Sequence, residues 1–195
     1  MKAVVGLGNP GRAYANTPHS IGFDIVERLA VIAGAKLRSS LRFDARLART
    51  VLQGGDVMLV EPQTYMNASG KAVSSVLRYH RIEPVDMIVV LDDADLEVGR
   101  IRIRVSGSSG GHKGLQSVAE SIGSTDFVRV RVGIGRGGEG VDLVRHVLEP
   151  FSAEERLVMN EVVEESAGAV LSILSSGVDR AMNTYNARRI GRAEG

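Results

Sequence analysis

The sequence predicts an α/β fold, a single-domain mixed central β-sheet with helices packed on both faces. Three observations lead there. Short, wholly apolar runs stop at glycine or polar residues, as strands buried on both faces do. Segments with apolar residues at helical spacing interleave with them, and other segments alternate apolar with charged residues, which makes the sheet mixed.

Taken in order, Lys2 to Leu7 is the first buried strand, and Ile21, Ile25, Leu29 and Ile32 mark one face of the first helix. Arg42 to Val51 alternates as a half-exposed strand, and Asp56 to Val60 is a second buried run. Val73, Val76 and Leu77 return to helical spacing, followed by the buried strand Met87 to Leu91. Gly99 to Val105 and Phe127 to Ile134 alternate, with a helix through Leu115, Val118, Ala119 and Ile122 between them. Ser152-Ala153-Glu154-Glu155 has the form of a capping box, opening an amphipathic helix to about Ser175. Gly177 closes it, and Val178 to Ile190 reads as a final, basic-ended helix. With no internal repeat or linker, residues 1–195 are expected to form one domain, of which about 178–195 are a C-terminal helix and short tail.

A chain of 195 residues buries a full core. The absence of cysteine removes disulfides, zinc-thiolate sites and thiol nucleophiles, and suits a cytoplasmic protein. The first apolar run, Ala3 to Leu7, is too short for a signal sequence or a membrane span, so no membrane partner is expected. Lys and Arg number 24 against 23 Asp and Glu, so bulk charge points to no polyanion; its distribution does. Between Arg100 and His146 there are eight basic and four acidic residues, whereas Val147 to Glu165 holds one basic and six acidic. A basic sector on a nearly neutral protein can steer a phosphate-bearing ligand to one face, although ordinary solvated charges are the commoner origin of such clusters.

Asn9, with His19 downstream, and Asn67 each come out of an apolar run and Asp92 ends a third, and together they supply one base, one carboxylate and two neutral amides. This inventory suits hydrolysis of an ester or amide by activated water: histidine takes a proton near neutrality, and amides hold a developing oxyanion. Thr17-Pro18-His19-Ser20 fits a helix start, with Thr17 as N-cap, Pro18 at the first helical position and His19 in the first turn. There the helix dipole disfavours imidazolium, and a carboxylate partner fixes the tautomer. Asp92 ends a central strand, where ligand crevices of open α/β sheets lie.

Two other readings of these motifs are weaker. Gly6-Leu7-Gly8-Asn9-Pro10-Gly11 matches a dinucleotide fingerprint, but it does not open directly into a helix, and Pro10 lacks the N–H that a phosphate cradle uses. Asp92-Asp93-Ala94-Asp95 could suggest magnesium or calcium, yet the calcium-loop spacing is missing. Neither a cofactor nor a metal is expected.

Five motifs together are similar to the bacterial-type peptidyl-tRNA hydrolases in order and spacing. They are Gly6 to Gly11 with His19, Pro62-Gln63-Thr64-Tyr65-Met66-Asn67-Ala68-Ser69-Gly70, Asp92 to Leu96, Ser109-Gly110-Gly111-His112-Lys113-Gly114, and Arg131-Val132-Gly133-Ile134-Gly135. The resemblance implies metal-free hydrolysis of the ester joining a peptide to the 3′ ribose of tRNA, recycling tRNA that has left the ribosome as peptidyl-tRNA. It also implies a monomer with no obligate protein partner. Carried over by position, His19 is the base, Asp92 its orienting acid, and Asn9 and Asn67 place substrate and water. Tyr14, Tyr65, Met66, His112 and Lys113 join Asn67 in substrate binding, and Arg104 and Arg131 are the pair that grips tRNA phosphate. Arg102/Arg104 and Arg129/Arg131 repeat with period two and are expected to line one strand face.

The chain departs from the family pattern at Pro18 and Ser20, which flank His19, and at Lys113, where the family has Asn. Ser20 is a tempting nucleophile, but adjacent helical residues do not face each other. The departures leave a non-catalytic RNA-binding relative, of the kind that acts in splicing, as the alternative. A dinucleotide oxidoreductase ranks third.

Overall fold

A computed structural model describes residues 1–137 and 142–190. Seven strands form one sheet in the order β2-β3-β4-β1-β5-β7-β6. They are β1 (Lys2–Gly6), β2 (Arg38–Ser40), β3 (Ala45–Leu52), β4 (Gly55–Pro62), β5 (Met87–Asp93), β6 (Ile101–Arg104) and β7 (Val128–Gly133). The inner strands β4, β1, β5 and β7 run parallel, and β2, β3 and β6 are antiparallel to their neighbours. The mixed sheet arises as expected, with the apolar runs forming β1, β4 and β5 and the alternating segments forming β3, β6 and β7.

The helices are α1 (Ile21–Ile32), α2 (Ser69–His80), α3 (Lys113–Ile122), α4 (Leu143–Leu148), α5 (Ala153–Ser176) and α6 (Val178–Tyr185). Val4, Leu59, Ile88, Val90 and Val130 point to one core with residues of α1, α5 and α6. Ala3, Val5, Met58, Val60, Val89 and Leu91 point to the other, under α2 and α3. Covering both faces explains why β1, β4 and β5 read as continuous apolar runs. Among the described residues no helix is long and apolar enough to cross a membrane.

Several boundaries differ from expectation. The alternating run begins at Ala45, because residues 41–44 form the turn of a hairpin with β2, a short strand without a hydrophobic pattern. His19 lies in a 3-10 turn, Pro18–Ser20, ahead of α1. Thr17 holds the N-cap position, but its hydroxyl donates to the Tyr14 carbonyl at 2.8 Å and caps no backbone N–H of the turn. The α5 capping box forms as read. The last helix stops at Tyr185, five residues early, because Asn186 turns to the sheet: its Oδ1 accepts the Ile103 N–H (2.7 Å) and its Nδ2 donates to the Ile103 carbonyl (3.2 Å). Ile190 then donates its N–H to the Gly99 carbonyl. The end of the expected tail, residues 191–195, lies outside the described residues.

The Gly6/Gly8 motif serves packing. A Cβ on Gly6 would collide with the Gly22 backbone of α1, and one on Gly8 would lie 2.9 Å from the Phe23 ring. These glycines bring β1 and α1 into contact, and the 3-10 turn that precedes α1 replaces the phosphate cradle of a dinucleotide fold.

One buried acid stands apart from both cores. Glu61 on β4 is fully buried, accepts a bond from Arg46 Nη1 at 2.7 Å through one oxygen, and leaves the other without a partner. Burial pushes its carboxyl up to about 8, against the pull of Arg46. Because the folded value lies above the ordinary 4.5, the native state binds the extra proton between these limits. This contribution to stability is complete below pH 4.5 and is lost as pH rises through about 8. The melting temperature of the native chain should therefore fall more steeply between pH 5 and 8 than that of Glu61→Gln; parallel profiles would contradict the assignment.

Candidate active site

The loops after β1, β4, β5 and β7 meet at the carboxyl ends of the parallel strands, around a cavity of about 550 Å³. Asn9, His19, Met66, Asn67, Asp92 and His112 all line it. The sheet explains the convergence, since carboxyl-end loops of parallel neighbours open to the same side.

Asp92 is 3% exposed and receives two histidines. His19 Nδ1 lies 2.8 and 2.9 Å from its two oxygens, and His112 Nε2 lies 3.0 Å from Oδ1. The imidazole rings pack at 5.1 Å between centroids. Burial pushes the Asp92 carboxyl up, but the charge and hydrogen bonds of His112 and His19 outweigh it and hold the group well below the usual carboxylate range. The tautomers follow from the network. A carboxylate only accepts, so His19 donates from Nδ1 and keeps its lone pair on Nε2. His112 donates from Nε2, because its Nδ1 accepts the Leu115 N–H at 3.2 Å as the N-cap of α3.

Asn9 Oδ1 accepts the Met66 N–H at 2.9 Å, stitching the β1 loop to the β4 loop. This bond assigns the amide orientation and leaves the Asn9 NH₂ as a donor at the cavity. Asn67 is exposed and lines the cavity near Tyr65, which is 66% exposed. A Cβ at Gly114 would collide with Met66 Sδ, so glycine there lets the start of α3 dock against the Met66 side chain. In the loop before it, Gly110 and Gly111 take φ of 59° and 83°, and a Cβ on Gly110 would lie 2.9 Å from Arg131 Nη2.

The three acids after β5 have different partners. Asp93 braces the following turn by accepting the Asp95 N–H at 3.0 Å, and its other oxygen lies 3.0 Å from Arg131 Nε without the alignment of a hydrogen bond. Asp95 pairs with Arg136 at the rim. The acids thus do not converge on one point, as a calcium loop requires. His19, Asp92 and His112 do converge, with donor atoms within 4.8 Å of one another. Two histidines and a carboxylate are a possible metal-ligand set, but the distances here are those of N–H···O bonds joining the three residues directly.

Other sequence candidates are placed differently. Tyr14 does not line the cavity; its carbonyl anchors Thr17. Ser20 is buried, lies 3.5 Å from the Asn9 carbonyl and lines a separate cavity behind the site. Lys113 is exposed at the cavity edge. Arg102 pairs in register with Arg131, and Arg104 with Arg129, so all four share one face. Arg104 is exposed at the strand end and Arg131 reaches the cavity. Arg129, however, is 2% exposed, donates to the carbonyls of Gly107 and Thr125, and lies 4.4 Å from the Phe127 ring centroid. It holds its loop and offers nothing to a phosphate. Sequence reading missed the apolar wall supplied by α4, where Leu143, Val144, Val147 and Leu148 line the cavity. Its signal in the sequence is a short apolar pattern set between a basic and an acidic segment.

The sequence model of the family described as "Peptidyl-tRNA hydrolase" matches residues 3–193. The chain is 45% identical over 186 residues to a protein named peptidyl-tRNA hydrolase from Caldanaerobacter subterraneus subsp. tengcongensis, an alignment covering 95% of this chain and all of the relative. A protein of the same name from Syntrophomonas wolfei is 44% identical with the same coverage. Among solved structures, the fold matches a peptidyl-tRNA hydrolase from Acinetobacter baumannii with a TM-score of 0.90 at 35% identity, covering 97% of this chain and 96% of that one.

Proposed function

Because the chain belongs to the peptidyl-tRNA hydrolase family, we propose that the cavity at the carboxyl ends of β1, β4 and β5 cleaves its substrate with water activated by His19. The reaction is hydrolysis of the ester between peptide and tRNA, which releases tRNA. The observation that carries the water-activated reading is the directed chain His19–Asp92–His112, because it leaves a basic nitrogen of His19 free at the cavity.

In this reading Nε2 of His19 takes a proton from water as the oxygen attacks the ester carbonyl. Asp92 holds the imidazole in the tautomer that can accept that proton and offsets the charge it gains. The NH₂ groups of Asn9 and Asn67 donate to the developing oxyanion. Collapse of the tetrahedral intermediate breaks the bond to the ribose 3′ oxygen, which takes the proton back from His19. No acyl-serine is formed, and the burial of Ser20 away from the cavity supports that. The wall of Tyr65, Met66 and α4 receives the peptide. Substrate is expected to come from peptidyl-tRNA released by the ribosome, and the protein to act as a cytoplasmic monomer.

Arg104 and Arg131 are assigned to tRNA phosphate. Arg104→Ala and Arg131→Ala should raise KM on the order of tenfold with little change in kcat, each lowering the slope of log KM against log salt by about one. The check is a set of steady-state titrations from low to physiological salt. A KM that is unaltered across salt would remove these residues from phosphate binding.

A further inference from the structure

The turn at residues 41–44 and the last turn of α2 build an exposed basic and aromatic cluster outside the cavity. The Arg42 guanidinium lies 4.1 Å from the Tyr79 ring centroid and 5.4 Å from that of Phe43. The Phe43 and Tyr79 rings are 5.3 Å apart, and His80 meets Tyr79 edge-on at 4.9 Å. Tyr79 is 54% exposed, and Arg42, Arg78 and Arg81 are exposed around it. Among the described residues these three arginines make no ion pair, while the neighbouring Arg49 is matched by Asp56. Burial, with the charges of Arg49 and Arg42, pushes His80 below its ordinary value, a sign of the positive field there.

We propose that Arg42, Phe43, Tyr79 and His80 form a stacking platform for unpaired nucleotides of RNA, a second contact for the RNA portion of the substrate. The chemistry favours RNA over an acidic protein. Charge alone would serve an acidic peptide, whereas aromatic rings with arginines against and beside them match a base and its phosphate together. The position also fits. Ala45 pairs with Pro62, and the Gln63 N–H donates to the Asp44 carbonyl at 2.7 Å, so the turn stands at the strand ends that carry the cavity. Gln63 is three residues from Met66, which puts the turn within roughly 15 Å of the cavity lip. In the sheet order the platform lies on the β3 side, and Arg104 and Arg131 lie on the β6 and β7 side, so an RNA would be held on both flanks of the cavity.

The proposal rests on the assignment of tRNA as substrate, and its test separates the two. Arg42→Ala, Tyr79→Leu and the control Tyr79→Phe would be compared with the native chain for binding of deacylated tRNA and of a short unstructured oligoribonucleotide. A 4-thiouridine version of the oligonucleotide would be photo-crosslinked and the modified peptide identified. Arg42→Ala and Tyr79→Leu should weaken oligonucleotide binding by roughly five- to tenfold, Tyr79→Phe should bind as the native chain does, and crosslinks should fall in residues 41–44 or 78–81. Equal binding by all variants, or crosslinks elsewhere, would overturn the platform while tRNA binding by the native chain stays intact. Binding lost only for a polyglutamate probe would overturn it in favour of an acidic partner. A native chain that binds no tRNA would instead overturn the substrate assignment itself.

Discussion

Asp92→Asn should lower kcat on peptidyl-tRNA by a factor of about 10² to 10⁴ and leave KM nearly unchanged. The substitution preserves size, but His19 Nδ1 lies within 2.9 Å of both carboxylate oxygens, so in either amide orientation the NH₂ would face that ring nitrogen as a competing donor. His19 or His112 must then take the other tautomer. If His19 turns, its Nε2 carries the hydrogen and can no longer accept one from water. Substrate affinity should survive because Asp92 is 3% exposed and acts through its neighbours. Single-turnover rates at saturating enzyme measure the effect, and a loss smaller than tenfold would show that the carboxylate does not set the base.

The second large effect concerns His112, assigned on resemblance to substrate binding. Both of its ring nitrogens are engaged, Nε2 by Asp92 and Nδ1 by the Leu115 N–H, so the ring links the start of α3 to the carboxylate. Two variants divide these bonds. Glutamine reaches Asp92 with an amide donor in the place of Nε2 but loses the cap. Asparagine keeps a cap oxygen in the place of Nδ1 but falls short of Asp92. His112→Gln should therefore retain kcat within about tenfold of native, while His112→Asn should lose about 10²-fold, as a misplaced acid–base pair does. Thermal stability should run the other way, with the asparagine variant the more stable by about 1 kcal/mol. A rise in KM with unaltered kcat in both would return His112 to direct contact with substrate.

How legible each part was depends on whether its signal is local. The strands β1, β4 and β5 announce themselves because burial on both faces demands unbroken apolar runs such as Ala3 to Leu7 and Met87 to Leu91. β2 has no such signal: Arg38-Ser39-Ser40 is held by pairing with β3, a long-range fact. The end of α6 depends on one side chain, Asn186, reaching the backbone of a strand more than 80 residues earlier. In the cavity, Asn9, Asn67 and Asp92 could be singled out because each stands just beyond an apolar run, and His19 because it follows Thr17-Pro18 at a helix start; the structure brings all four to one place. The α4 wall could not be read, since its apolar residues meet the site only through tertiary packing. Period-two spacing placed the four arginines on one face but carried no information on depth, and Arg129 is buried where Arg104 is exposed.

The most direct test of water activation by His19 is single-turnover release of peptide from an N-blocked aminoacyl-tRNA, with the native chain and His19→Ala side by side and EDTA in a parallel series. The expected result is release that persists in EDTA and falls by at least about 10²-fold in His19→Ala. Release that continues unchanged without the imidazole, or that disappears in EDTA and returns with added metal, would contradict it.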